Sequence, residues 1–413
     1  MTWTTVKIGD IAQVKGGKRL PEGMSVQDMV THYPYIRVTD FDSDGVNLNS
    51  IKFISKEAHE ATSRYIINCT DVYISIAGTI GLVGIVPKQL DGANLTENAA
   101  KICEISEDIN PQFLMYFLRS RIGQGLINAQ VVGTSQPKLA LFRIKDIDVP
   151  APERAVQDEI VNVLSKYDNL IENNNRRIAI LEEMAQLLYR EWFVKFRYPN
   201  HQDKVDADGK TKLIDSPLGQ IPERWAVKRL DEVADINPQS ITQRNAPEKI
   251  GYIDISSVGT GVIDDVKPML FNEAPSRARR VVVDGDIIWA TVRPNRKQYS
   301  FICKPLPNTI VSTGFAVIRA KTLPASYLYS FTTTDSFTGY LVNHATGSAY
   351  PAVNSDIFQK ADILVPPKKL VEQFDTFCSR VIELSEVLKK KNKNLKQQRD
   401  MLLPKLISGQ IEL

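Results

Sequence analysis

Residues 3–12 read WTTVKIGDIA, and residues 225–234 read WAVKRLDEVA. The tryptophans superpose, as do Lys7 with Arg229, Ile8 with Leu230, Asp10 with Glu232, Ile11 with Val233 and Ala12 with Ala234. Outward from these stretches the echo continues at a nearly constant offset of about 215 residues, half the chain rather than a short solenoid period. Tyr35-Ile36 answers Tyr252-Ile253, and Asp71-Val72-Tyr73-Ile74 answers Asp286-Ile287-Ile288-Trp289. Gly133-Thr134 answers Gly347-Ser348, Pro137 answers Pro351, and Val149-Pro150 answers Val365-Pro366. Two copies of one unit carry two similar surfaces. They suit a partner that also comes in two halves, and duplex DNA is the commonest such partner.

The 413 residues leave room for two or three domains with ordinary cores. Hydrophobic content of 43% and charged content of 24% are those of a soluble globular protein. Lys and Arg at 51 nearly balance Asp and Glu at 48, so any DNA binding needs its charge gathered into local patches. Cys69, Cys103, Cys303 and Cys378 are scattered and read as reduced thiols of a cytoplasmic protein. His32, His59, His201 and His344 are isolated, so no metal site is expected. No signal peptide and no apolar run of membrane-spanning length is visible, so no membrane partner is expected.

Residues 1–150 form a mixed α/β block with strand candidates at 35–39, 72–76, 82–86 and 99–105. Asn110-Pro111 reads as an N-cap and first-turn proline leading into Phe113, Leu114, Phe117 and Leu118. Residues 151–198 hold a long helix. Its seam is Ile160, Leu164, Tyr167, Ile171, Asn174, Ile178, Leu181, Ala185, Leu188 and Trp192. That alternating 4-3 spacing is a coiled-coil seam with one register-fixing Asn, over about 43 residues or ~65 Å. A polar linker follows at 199–216, and 217–365 repeats the α/β pattern. Residues 366–413 repeat the helix, with a seam of Phe374, Cys378, Val381, Ser385, Leu388, Asn392, Leu395, Arg399, Leu402 and Leu406. Pro404 is expected to kink or end it. The fold class expected is therefore α+β: two similar α/β domains separated by two long helices packed as an antiparallel coiled coil, with a pseudo-two-fold internal repeat.

Enzyme signatures are sparse. Asn110-Pro111-Gln112-Phe113 is one letter from the Asn-Pro-Pro-Phe/Tyr motif of adenine-N6 methyltransferases, but an N-capped helix explains it better, and the repeat has Leu323-Pro324-Ala325-Ser326 there. Gly78, Gly81 and Gly84 read as tight turns between strands. There is no phosphate-binding loop and no local triad signature, so no catalytic residue is assigned.

Nucleic-acid candidates are stronger. Gly16-Gly17-Lys18-Arg19 reads as a flexible basic loop, contributing Lys18 and Arg19. The second block gathers Arg277, Arg279, Arg280, Arg293, Asn295, Arg296 and Lys297 near Trp289 and Tyr299. Arg neutralises phosphates or reads guanine bidentately. The loops Thr134-Ser135-Gln136-Pro137-Lys138 and Ser348-Ala349-Tyr350-Pro351 occupy the same place in both repeats with different side chains. One scaffold with two unlike polar loops suggests two sites of different selectivity. The lysine run at 389–396 is either a solvated helix face or a basic strip along DNA. Met184, Leu187, Trp192, Phe193, Phe196, Leu402, Leu403 and Ile407 form apolar groups too wide for one seam, and are expected to hold a protein partner.

The stretch 181–196 (LEEMAQLLYREWFVKF), the stretch 219–225 (GQIPERW) and the tail 399–409 (RDMLLPKLISG) resemble the specificity subunits of Type I restriction–modification systems. Val149-Pro150-Ala151-Pro152 and Val365-Pro366-Pro367 before each helix are also typical of that family, and the resemblance covers the chain in order. It implies two target-recognition domains, each reading one half of a bipartite double-stranded DNA sequence, spaced by helices that dock two methyltransferase subunits. It also implies a non-catalytic chain that binds no cofactor. S-adenosylmethionine, ATP and Mg would serve the methyltransferase and the restriction (motor and nuclease) subunits. The alternatives are a stand-alone DNA adenine methyltransferase, tested by S-adenosylmethionine binding, and a scaffold without a DNA role, tested by a gel shift.

Overall fold

The computed structural model describes residues 3–41, 45–133, 137–200 and 212–411. The linker stretch 201–211 therefore lies outside the described residues, as do Thr134, Ser135 and Gln136. The chain forms two compact units. Unit 1 is Met1–Asn173 with Asn392–Leu413, and unit 2 is Asn174–Lys391.

Unit 1 holds strands β1 (Thr5–Lys7), β2 (Gln13–Gly16), β3 (Pro34–Ile36), β4 (Lys52–Phe53), β5 (Ile66–Ile67), β6 (Val72–Ser75), β7 (Val83–Ile85), β8 (Ala93–Leu95), β9 (Ala99–Cys103) and β10 (Asp148–Pro150). Its helices are α1 (Ile8–Ile11), α2 (Lys56–Ala61), α3 (Pro111–Arg119), α4 (Arg121–Ala129), α5 (Leu141–Lys145) and the first turns of α6 (Arg154–Tyr189). One four-stranded sheet runs β2-β9-β6-β7, a second runs β4-β3-β8-β5, and β1 pairs with β10. Within the second sheet β3 and β8 are parallel. Strand β6 is buried along its whole length, which is why Val72-Tyr73-Ile74 reads as a continuous apolar run rather than an alternating one.

Unit 2 repeats this plan. Its hairpin β11 (Leu213–Ser216) and β12 (Gly219–Pro222) precedes β13 (Ala226–Arg229), β14 (Ala234–Ile236), β15 (Lys249–Ile253), β16 (Lys267–Leu270), β17 (Ala278–Val281), β18 (Ile287–Ala290), β19 (Tyr299–Phe301), β20 (Thr309–Ser312), β21 (Phe315–Ala320) and β22 (Asp362–Val365). The helices are α7 (Leu230–Val233), α8 (Ala325–Thr332), α9 (Asp335–Asn343), α10 (Ser355–Gln359), the later part of α6 from Asn174, and α11 (Lys368–Ile407) as far as Lys391. The sheets run β14-β21-β18-β19 and β16-β15-β20-β17, with β15 parallel to β20, and β13 pairs with β22. Strand for strand, this is the topology of unit 1, so the sequence repeat is a structural one.

Both long helices are divided between the units, and within each unit they run antiparallel. In unit 1, Asn392 donates its side-chain amide to the Ile171 carbonyl at 3.5 Å, and Arg399 meets Asp168 at 2.6 Å. Further along α11, Leu403, Leu406 and Ile407 share a core with Ile160, Val161 and Leu164. In unit 2, Lys389 reaches Glu182 at 3.3 Å, while Phe374 packs on Tyr189 and Trp192.

Two local features depart from a regular helix and its expected end. Helix α11 passes through Pro404 to Ile407 instead of ending there. A proline in a helix costs about 3 kcal/mol, but burying Leu403, Leu406 and Ile407 returns about 1.5–3 kcal/mol each. And α6 closes on a π-turn, Arg190–Val194, with the Lys195 N–H on the Arg190 carbonyl at 2.9 Å. The extra residue per turn rotates Phe193 onto the unit 2 core.

Candidate nucleic-acid interface

In unit 1 the turn after β6 (residues 76–82) lies against the loop 132–138. Ala77 bridges Lys138, and Lys138 bridges Val132. In unit 2 the longer turn after β18 (residues 291–298) lies against the loop 346–352, with Val292 bridging Ala352 and Ala352 bridging Thr346. The second residue of each loop is glycine, at φ 99° for Gly133 and 98° for Gly347. That left-handed backbone disfavours any side chain, which accounts for the paired glycines. Among the described residues, the same pair of bridges and the same positive-φ glycine thus recur in both units, with Lys138 in one where the other has Ala352.

Unit 2 presents a charged tip. Arg293 sits in the left-handed region (φ 52°), and its N–H donates to the Pro351 carbonyl at 2.6 Å. Its guanidinium lies 4.6 Å over the Tyr350 ring and donates to the Ala349 carbonyl at 3.2 Å. Tyr350, Ser348, Asn295 and Arg296 are exposed. Lys297, also left-handed (φ 50°), is paired with Asp335 at 2.6 Å, so part of its charge is answered within the protein. Trp289 is fully buried with its indole N–H on the Thr332 carbonyl, and burial pushes the Tyr299 hydroxyl up to about 12. These aromatics are core, not a stacking platform.

The remaining arginines do not join that tip. Arg279 is on β17, in the other sheet, 4.9 Å over the Phe271 ring. Arg277 is paired with Asp254 at 2.7 Å. One terminal nitrogen of Arg280 is buried without a hydrogen-bond partner, and desolvation holds that guanidinium below its ordinary value.

In unit 1, Lys18 and Lys138 are exposed. Arg19 is exposed too but pairs with Glu97 at 2.8 Å. The Gly16–Arg19 segment is fixed rather than flexible. Gly17 and Lys18 donate their N–H groups to Ala99 and Leu95, and a Cβ on Gly17 would sit 2.0 Å from the Thr96 carbonyl oxygen. Glycine is there for close backbone approach.

Asn110 is spent on structure. Its side-chain oxygen caps α3 by accepting the Gln112 and Phe113 N–H groups, and its amide nitrogen donates to Asp158 at 2.7 Å. Gly78 and Gly81 occupy left-handed turn positions, and Gly84 leaves room for the Tyr73 ring. Among the described residues no group of three or more His, Cys, Asp or Glu is placed to hold a metal, and no helix is long and apolar enough to cross a membrane.

The expected partner-binding set divides by burial. Phe193, Leu403 and Ile407 are core residues. Trp192, Phe196 and Leu402 are partly buried and pack against the unit cores, Phe196 on Trp225. The π-turn and the continuation through Pro404 are the reasons: both fold these side chains back onto their own unit. Met184 and Leu187 remain exposed, with Ile180 on the same helix and Phe377, Leu384 and Val387 on α11. Each of the six lies one residue before a seam position: Ile180, Met184 and Leu187 before Leu181, Ala185 and Leu188, and Phe377, Leu384 and Val387 before Cys378, Ser385 and Leu388. Residues one after the seam, Glu182, Gln186, Ile382, Glu386 and Lys389, line a cavity of about 120 Å³ against the unit 2 sheets. In an antiparallel pair, equal offsets fall on one side. The six apolar residues therefore flank the seam on the side away from that cavity, and Leu384 and Val387 also border a second cavity with Cys303 and Lys304 of the loop after β19. Lys389, first of the lysine run, is held by Glu182, Glu386 and the Gly261 carbonyl, whereas Lys390, Lys391 and Lys393 are exposed.

Residues 1–183 match the family model described as Type I restriction modification DNA specificity domain. The chain is similar along its whole length to the Type I restriction enzyme MjaIX specificity subunit of Methanocaldococcus jannaschii, at 23% identity over 94% of that protein. The MjaVIII specificity subunit of the same organism is 22% identical, over 100% of this chain and 93% of the relative. Among solved structures, the S subunit of a Type I restriction–modification system from M. genitalium superposes with a TM-score of 0.57 at 15% identity, covering 98% of this chain and 96% of that one.

Proposed function

We propose that the chain is a specificity subunit of the Type I restriction–modification family, which it resembles along its whole length, and that each of its units reads one half of a bipartite DNA target. The single observation that carries this reading is the repeated turn-and-loop device: Gly133 and Gly347 share a positive φ, while the turns bridged to their loops, 76–82 and 291–298, differ in charge. Sequence is read by side chains at base edges on a scaffold positioned by the phosphates. One scaffold with two unlike tips suits two unlike half-sites.

The chain supplies recognition and not chemistry, and binds no cofactor. S-adenosylmethionine, ATP and Mg serve its partners, two methyltransferase subunits and the restriction subunits, in the cytoplasm. The exposed strip of Ile180, Met184, Leu187, Phe377, Leu384 and Val387 supports docking of a methyltransferase on the helices. The number of helical residues shared by the units sets the spacer between half-sites. A stand-alone methyltransferase is disfavoured because Asn110, the one residue suggestive of that activity, is consumed in capping α3.

The test is methylation mapping of the host genome with and without the gene for this chain. The reading expects a target of two short specified blocks around a fixed unspecified spacer, lost on deletion. A contiguous target, or methylation that survives deletion unchanged, contradicts it.

A further inference from the structure

The two tips differ in a way that assigns chemistry to one of them. In unit 1 the turn after β6 is Ile76-Ala77-Gly78-Thr79-Ile80-Gly81-Leu82, with no charged residue. In unit 2 the corresponding turn carries Arg293, Arg296 and Lys297. Three constraints then separate these cations. Lys297 is occupied by Asp335. Arg296 is exposed and forms no hydrogen bond or ion pair through its side chain among the described residues. Arg293 is held at both ends: its main chain is fixed by the bond to Pro351, and its guanidinium is stacked on Tyr350 and tied at one edge to Ala349.

Phosphate neutralisation tolerates a mobile cation, because the charge need only be near. Base reading does not, because the planar fork must meet two acceptors at once, as guanine O6 and N7 present them in the major groove. A guanidinium already stacked and oriented loses less freedom on making those bonds. A non-glycine residue held in the left-handed region stores strain, as residues at functional sites commonly do.

We infer that Arg293, oriented by Tyr350, reads a guanine in the half-site of unit 2, while Arg296 contacts a neighbouring phosphate; this rests on the DNA-reading role proposed above. Unit 1 has no counterpart, so its own half-site takes no guanine contact from the equivalent turn.

The experiment uses the full chain assembled with its methyltransferase subunits and a duplex library randomised at every position of the mapped target. Arg293→Gly keeps the left-handed backbone at no steric cost and removes the fork. Arg293→Lys keeps the charge and loses the fork. Both variants are expected to lower discrimination for G·C at one position of one half-site by about ten- to a hundredfold, leaving the other half-site unchanged. Arg296→Ala is expected to weaken binding to all sequences alike and to reduce the salt slope by about one. If both Arg293 variants keep full discrimination, or weaken all sequences uniformly, Arg293 is not a base reader and the inference is overturned. Failure of the unaltered complex to select any sequence from the library overturns the DNA-reading role itself, which separates the two failures.

Discussion

Asp168 on α6 and Arg399 on α11 meet at 2.6 Å, at a position where the apolar seam of α11 is interrupted by a cation. Asp168 also accepts the Tyr116 hydroxyl of α3 at 2.5 Å, and Arg399 is further bonded to Asp400. The carboxylate thus fastens both long helices to the sheet-bearing part of unit 1. A charge in a helix seam is tolerated only when it is paired.

Removing one member leaves the other partly buried and unanswered. Asp168→Asn is expected to cost about 1–3 kcal/mol, less than a fully buried pair because Asp168 keeps some exposure. The double variant Asp168→Leu with Arg399→Met should recover most of that loss. Urea unfolding of the three chains checks this; a double variant no better than Asp168→Asn would show that the pair is not what the seam needs.

The apolar residues near the end of α6 are expected to separate into two phenotypes. Phe193 touches Tyr327, Phe374 and Trp225, so Phe193→Ala should destabilise unit 2 by about 3–5 kcal/mol. Met184→Asp with Leu187→Asp should leave the fold intact by circular dichroism and abolish co-purification with the methyltransferase. Wild-type assembly by the folded double variant would remove the strip from the interface.

Alkaline pH should loosen unit 2. Burial raises Tyr189 and Tyr327 well above the ordinary tyrosine value and pushes Tyr299 up to about 12. Unfolded tyrosine loses its proton near pH 10. Above that pH the unfolded chain holds fewer protons than the folded one, so stability falls as pH rises. The contribution is whole below pH 10 and is lost as pH climbs towards 12, on the order of 2 kcal/mol from Tyr299 alone. Denaturation at pH 8, 10 and 11, followed by tryptophan fluorescence, measures it. A midpoint that does not move between pH 8 and 11 would contradict these assignments.

Much of this was legible in the sequence because it depends on local or periodic signals. The paired Trp3 and Trp225 stretches announced the repeat, the 4-3 spacing announced both helices, and Asn110-Pro111 announced the start of α3. The glycine pair Gly133 and Gly347 marked the tips through backbone need. What stayed hidden depends on residues distant in sequence. Asp335 answering Lys297, Glu97 answering Arg19 and Asp168 answering Arg399 have no local signature. The π-turn was equally silent, since it shifts the facing of Trp192–Phe196 without changing their apolar pattern. Those residues therefore read as a partner surface when Phe193 is core. Gly16-Gly17 read as flexibility when Gly17 marks close packing.

Spacer length is expected to follow helix length. Seven residues inserted after Asn173 and seven after Lys391 preserve the seam and add ~10 Å of rise, or about three base pairs. The methylated target of the variant complex should carry a spacer longer by that amount. An active complex with its spacer unchanged would show that another element fixes the distance.

The most direct measurement is an exchange of residues 1–150 for the same block of another member of the family, followed by methylation mapping. The two-unit reading predicts that one half of the target changes to the donor's sequence while the other half is retained. A change in both halves, or in neither, would contradict it.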